Sequence, residues 1–197
     1  MPSTALLRYD HERRARLEEL VAAHRLVGGP GRGRRWRTQQ LNNALVLRLA
    51  AEFQGFSRDL HDLSARTFAS WAAGGNTSVE SALDKLLVEG RQLDRGNANP
   101  GSLGSDFGRL GFTLWPALTQ RDPMTPDQQA ALDLLNRARN AIAHYNEGEL
   151  AAVRKTGASI TLRGFRRWQR DLDRLAVNLD AEVASQLGRL FQQPAPW

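Results

Sequence analysis

Apolar residues along this chain recur at intervals of three and four, the spacing that places side chains on one face of an α-helix. From Thr38 to about Trp71 the stripe is Leu41, Leu45, Leu49, Phe53, Phe56, Leu60 and Leu63. It predicts one long amphipathic helix, with Gly55 set into it where a second helix can cross closely. After Thr161, and on to about Gln192, Phe165, Leu172, Leu175, Leu179, Val183, Leu187 and Leu190 form another long seam, with Trp168 and Phe191 beside it. Residues 4 to 26 carry a helical stripe of Leu6, Leu17, Leu20, Val21 and His24. Thr77-Ser78-Val79-Glu80 reads as a capping box that opens a short helix to about Glu89. Thr125-Pro126-Asp127-Gln128 reads as the clearest helix start: Thr caps, Pro takes the first helical position, Asp meets the positive helix end and Gln closes the box. That helix is predicted to reach about Asn146 on a stripe of Ala131, Leu135, Ala138, Ile142 and Tyr145, which assigns Tyr145 to the core. Glu147-Gly148 then provide an exit through a short turn.

Glycine and proline divide these segments. Gly28-Gly29-Pro30-Gly31 stops the first helix, because Pro lacks an amide hydrogen and Gly loses the most entropy in a helix. Between residues 90 and 124 breakers are so frequent that a long ordered loop is expected, with one or two short helices, one of them begun by Asp106. No alternation of the kind a strand needs is present, and no internal repeat. The fold class predicted is all-α, a helical bundle with a long connecting loop. Residues 1–37 form an N-terminal helix and a basic Gly/Arg linker, residues 38–192 the bundle, and residues 193–197 a frayed tail.

Composition narrows the chemistry. The 197 residues suffice for one core, and the hydrophobic share of 41% is that of an ordinary globular protein. No apolar run approaches the roughly 20 residues that span a bilayer, and the N-terminus reaches Arg8 too early for a secretory signal. The expectation is a cytoplasmic protein with no membrane partner. The absence of cysteine rules out disulfides, thiol nucleophiles and thiolate metal sites. The four histidines, His11, His24, His61 and His144, are scattered, so a bound transition metal is not expected, though carboxylates could still hold magnesium; no cofactor is expected. A net charge of +6 favours a polyanionic partner, nucleic acid first. Only Lys85 and Lys155 are lysines, so part of this charge reflects a general use of arginine. The cluster Arg32-Gly33-Arg34-Arg35-Trp36-Arg37 fits either a phosphate backbone or a solvated loop. Arg34, Arg35 and Arg37, with Arg109 and Arg137, are the candidate RNA contacts.

The segment Arg139-Asn140-Ala141-Ile142-Ala143-His144 carries the candidate catalytic groups. At about 100° per residue, Asn140 and His144 stack on the side opposite the apolar stripe, near Asp133, Asn136 and Arg137. Arg139 lies about 140° around the axis from His144, so one straight helix does not bring the two over a single phosphate. A second copy across a two-fold axis would supply the missing half. The residue types suit cleavage of RNA, which brings its own nucleophile in the 2'-hydroxyl. An imidazole titrating near ~6.5 exchanges protons with the attacking or leaving oxygen. A guanidinium forks two donors onto phosphate oxygens as charge develops, and Asn140 either orients the imidazole or bonds a phosphate oxygen. The products would be a 2',3'-cyclic phosphate and a 5'-hydroxyl. Equally, an Arg and a His on one helix occur as a solvated face or a dimer salt bridge.

Residues 135–144, with a polar residue after Arg139 and four residues between Arg139 and His144, resemble the signature of the HEPN superfamily. The long helix beginning near Arg163-Gly164-Phe165 fits that layout. Residues 51–61, and less closely residues 105–111, resemble the RiboL-PSP branch. The resemblance covers most of residues 38 to 190. It implies a dimeric helical bundle with metal-independent endoribonuclease activity, Arg139 and His144 as the active pair, Asn140 as the supporting polar residue, and a role as a toxin or antiviral effector with an antitoxin or regulatory protein as a further partner. The alternatives are a non-catalytic HEPN module that binds RNA or nucleotide, or a dimeric protein-interaction domain. One toxin branch carries a modifiable Tyr two positions after the His; Asn146 stands there in this chain.

Four further expectations concern polar groups and tryptophans. Arg58 and Asp62 are spaced to pair along one helix. Glu52 is placed to meet an arginine, Arg139 among the possibilities. Asp106 is expected as a helix cap, with Arg109 as its neighbour or part of a cleft lip. Of Trp36, Trp71, Trp115 and Trp168, at least three are expected to pack rather than stack on bases.

Overall fold

Helices take up every long apolar stripe, and no strand occurs among the described residues. A computed structural model describes residues 1–28 and 35–197, and for Arg35 its backbone only. The order is α1 (Thr4–Arg8), a π-helical turn (Tyr9–Arg13), α2 (Arg14–Gly28), α3 (Arg35–Ala73), α4 (Thr77–Val88), α5 (Gln92–Arg95), α6 (Pro100–Gly108), α7 (Leu114–Arg121), α8 (Thr125–Ala143), α9 (Glu147–Lys155) and α10 (Leu162–Phe191). No helix among the described residues is long and apolar enough to cross a membrane.

The 39 residues of α3 make a rod of about 58 Å, against which α2, α4, α8 and α10 pack. Its stripe of Leu45, Leu49, Phe53, Phe56 and Leu60 is fully buried. It meets Leu172, Leu175, Leu179, Val183 and Leu187 of α10, and Leu132, Leu135 and Ala138 of α8, in one hydrophobic core. The N-terminal helix joins that core through Tyr9, Leu17 and Val21, and Tyr9 packs on Phe53 and Phe56 at ring distances of 6.4 and 5.1 Å. The terminal residues also fold back, since the Trp197 indole donates to the Asp180 carbonyl at 3.3 Å.

Several local expectations are corrected. Residues 90–124 are not one loop with a helix or two: they hold α5, α6 and α7. Asp106 does not begin a helix. It sits near the end of α6, which Asn99 caps, and its carboxylate accepts the amides of Gln92 and Leu93 at 2.8 and 2.7 Å, capping α5 from outside. Asn76, not Thr77, caps α4, accepting the amides of Ser78 and Val79. Thr125 does not cap α8. Its buried hydroxyl donates to the Leu118 carbonyl at 2.9 Å, and Asp122 organises that turn instead. Glu147-Gly148 do not lead into a turn but open α9. Thr161 does cap α10, accepting the Gly164 amide at 3.2 Å.

Gly55 admits a guanidinium rather than a helix. The π-helical turn aims Arg13 at α3, where a Cβ on Gly55 would overlap the Arg13 guanidinium. From there Arg13 reaches Glu52 at 3.1 Å and Asp59 at 2.8 Å. Glu52, only 3% exposed, also holds Arg48 at 2.6 Å and Arg16 at 3.5 Å, so its partners among the described residues are these three and not Arg139. A buried charge is tolerated when its oxygens are satisfied in this way. Arg58 and Asp62 do not pair either. Arg58 donates to the Leu93 carbonyl at 2.8 Å, and Asp62 takes Arg91 at 2.5 Å. Arg91 also donates to His61 Nδ1 at 3.3 Å, which leaves His61 Nε2 to donate to the Asp106 carbonyl at 3.0 Å. Burial, and then the Arg91 charge, push the His61 pKa down, so this imidazole is a neutral core group.

Asp122 yields a pH prediction. Its carboxylate accepts from the Met124 amide at 3.0 Å, Gln128 at 2.9 Å, Asn178 at 2.8 Å and Arg174 at 2.7 and 3.1 Å. The Met124 amide leads these donors in lowering its pKa to about 2, against roughly 3.9 for a free Asp. The unfolded chain therefore takes up this proton more readily than the folded one. The stability Asp122 contributes is complete above about pH 4 and is lost as pH falls through the folded value. In urea melts, Asp122→Asn should be less stable than the parent near neutrality, with the gap closing toward about pH 2. A gap that stays constant with pH would show that the ionised carboxylate is not its source.

Candidate functional site

Helix α8 ends by a Schellman-type reversal that positions the candidate catalytic groups. His144 is the C-cap, at φ −106° and ψ 11°. Tyr145 follows at φ 53°, in the left-handed region where glycine is usual. The Asn146 amide donates to the Ala141 carbonyl at 2.8 Å and the Tyr145 amide to the Ile142 carbonyl at 3.4 Å. Asn146 then caps α9, accepting the Glu149 amide at 3.0 Å. Three residues thus end one helix and begin the next. The reversal also overturns the expected burial of Tyr145: its side chain is 91% exposed, because the periodicity that would have turned it inward stops at Ala143. A bulky residue held at positive φ stores strain of about 1–3 kcal/mol, and such positions cluster at functional sites.

Asn140 and Arg139 lie on the last turn of α8. Arg139 is half-buried and donates to Asn140 Oδ1 at 3.0 Å. Asn97, from the link between α5 and α6, donates to the same oxygen at 2.7 Å. With the oxygen of Asn140 doubly engaged, its amide NH₂ makes no hydrogen bond with a described residue. The link is held firmly. Asn136, one turn before Asn140, donates to the Ala98 carbonyl at 3.0 Å, and Gln54 of α3 donates to the Leu93 and Gly96 carbonyls at 3.0 and 2.6 Å. His144 is exposed, and its ring makes no hydrogen bond or ion pair with any described residue. Arg139 and His144 do not bond to each other within one chain.

The remaining candidate RNA contacts fall in different places. Arg34 lies outside the described residues, as does the side chain of Arg35. Arg37 is exposed, with its guanidinium 5.0 Å from the Trp36 ring. Trp36 itself is 73% exposed, whereas Trp71, Trp115 and Trp168 pack against the core. Arg137 is paired with Glu149 at 2.7 Å. Arg109 donates to the Leu86 carbonyl and, at 2.9 Å, to the Glu89 carbonyl, so it closes the end of α4. Sequence reasoning missed Asn97. Its only signal was an amide side chain in a breaker-rich segment, and nothing local aims that side chain at α8.

Neither a protein-family model nor a curated protein nor a solved structure matches this chain.

Proposed function

We propose that this chain is a metal-independent endoribonuclease of the HEPN type that acts as a homodimer. The observation that carries the reading is the exposed, unbonded His144 ring at the C-cap of α8, one turn beyond the Asn97–Asn140–Arg139 cluster. One imidazole takes the 2'-hydroxyl proton as that oxygen attacks phosphorus. The P–O5' bond breaks, and the 5'-oxygen leaves with a proton from water. The Arg139 guanidinium and the free Asn140 amide stabilise the phosphorane-like state. The products are a 2',3'-cyclic phosphate and a 5'-hydroxyl. Because Arg139 and His144 point about 140° apart on one helix, paired copies of α8 would bring them over one phosphate. A cytoplasmic toxin or antiviral effector held in check by an antitoxin fits such a nuclease.

The test is total RNA incubated in EDTA with the purified protein and with His144→Ala. Cleavage by the parent, lost in the variant, supports the reading. RNA binding without cleavage in any condition would point to a non-catalytic module instead. Asn97 is assigned as a positioning residue that acts through Asn140. Asn97→Ala should lower kcat by up to about 10²-fold, the scale of a misplaced contact, with RNA binding and melting temperature unchanged. A loss confined to KM would argue against this role.

A further inference from the structure

At the other end of α8, a groove of about 830 Å³ runs between the first half of that helix, the 156–159 segment and the first turns of α10. Its floor is the buried Trp168 with Ala131 and Leu134 of α8. Along one wall stand Arg163, Arg167 and Arg170, all exposed. Their positions i, i+4 and i+7 share one face of α10 and span about 10 Å of its axis. None of the three makes a hydrogen bond or an ion pair with a described residue. Neighbouring arginines of the same helix behave differently. Arg166 is bound by both oxygens of Glu18, and Arg174 by Asp122. Asp127 and Asp171 also line the groove; neither lies within ion-pair distance of the three guanidiniums, and the charges of Arg167 and Arg170 act on Asp171 only through space.

We infer that this groove is a sequence-independent binding site for the phosphate backbone of single-stranded RNA, contacted by Arg163, Arg167 and Arg170. A row of three free forks about 10 Å long is too extended for one phosphate and suits successive ones. A groove of this size takes a single strand, whereas a duplex is too wide and stiff to enter it. Trp168 is 5% exposed, so no ring is offered for stacking, and contact falls to the backbone alone. The groove-lining residue Ala131 lies about 12 Å along α8 from Arg139. The inference rests on RNA being the substrate, but its test does not depend on cleavage.

The probe is a short fluorescent oligouridylate carrying 2'-O-methyl groups, which cannot be cut by 2'-hydroxyl attack. Its binding to the full-length protein is followed by anisotropy across a salt series. Each phosphate contact to a single strand contributes about 0.7 to the slope of log K against log salt. Changing Arg163, Arg167 and Arg170 together to Gln should weaken binding at every salt concentration and flatten the slope by about 2. Each single change should give about a third of that, so the outcome does not depend on the triple variant alone. Arg66→Gln, an exposed change on α3, should alter neither quantity. An unchanged slope in the triple variant, or no binding by the parent at low salt, overturns the inference. So does binding to vesicles containing phosphatidylserine in place of the oligonucleotide. If the slope falls as expected but the protein cuts no RNA, the groove stands and the nuclease reading fails. If cleavage needs His144 but the triple variant binds and cuts like the parent, the reverse holds.

Discussion

His144→Ala is expected to lower RNA cleavage by about 10²–10⁴-fold, the range for loss of a general acid or base, and Arg139→Ala by about 10²–10³-fold, as for loss of a group that stabilises developing negative charge. Neither change should disturb folding. His144 is exposed at a helix end, and among the described residues Arg139 bonds only to Asn140 on the surface of α8. The sharper result comes from mixing the two variants. If each site takes Arg139 from one copy and His144 from the other, an Arg139→Ala/His144→Ala heterodimer carries one intact site, and about half the parental activity should return. Cleavage products are followed by the appearance of 2',3'-cyclic ends, with heterodimers isolated by two affinity tags. Inactive variants that stay inactive on mixing would show that a single chain supplies both groups, and the two-fold arrangement would have to be given up. Full activity in His144→Ala would remove the imidazole from the reaction altogether.

Gly164→Ala should destabilise the protein by about 1–3 kcal/mol, the cost of an overpacked site, which corresponds to a loss of several degrees in Tm for a chain of this size. The sign is informative because Gly→Ala in a helix ordinarily stabilises by about 0.5–1 kcal/mol. Here the added Cβ would overlap the backbone carbonyl oxygen of Ser159 and lie 2.7 Å from its Oγ. Backbone cannot swing aside as a side chain does. Ser159 would have to move together with its hydroxyl contact to Thr161 and with the buried Ile160 beside it. Since Gly164 and Ser159 both line the α8–α10 groove, the same change should widen that groove. Gly108→Ala serves as the comparison: nothing lies within 4 Å of the Cβ it would add, and its Tm should hold or rise. Equal behaviour of the two variants in thermal melts would show that the 156–161 segment yields freely.

The cluster around Arg13 shows how a short sequence feature acquires its meaning from afar. Gly55 stands out in the α3 stripe as a gap, and a gap admits any close neighbour. Which neighbour arrives depends on the π-helical turn of residues 9–13, some forty positions earlier, and on carboxylates at 52 and 59 that face the same way. Arg58, Asp62 and Asp106 are alike in this respect. Each had a plausible local partner, and each found a different one in another segment.

From the order of residues alone came the all-helical class, the extents of α3 and α10, the apolar faces that meet in the core, and the Arg139–Asn140–His144 triplet as the place to look for chemistry. The first three follow from a periodicity fixed by backbone geometry, which a dozen consecutive residues are enough to display; the triplet follows from its residue types and its resemblance to the HEPN signature. What only the assembled chain decided were helix ends and polar partners: Tyr145 turned outward by a left-handed residue, Asn97 brought across to Asn140, and three guanidiniums of α10 left open beside α8. Helix ends and ion pairs depend on which donors and acceptors arrive from distant segments. Their competing local alternatives differ by only about 1 kcal/mol, so packing makes the choice.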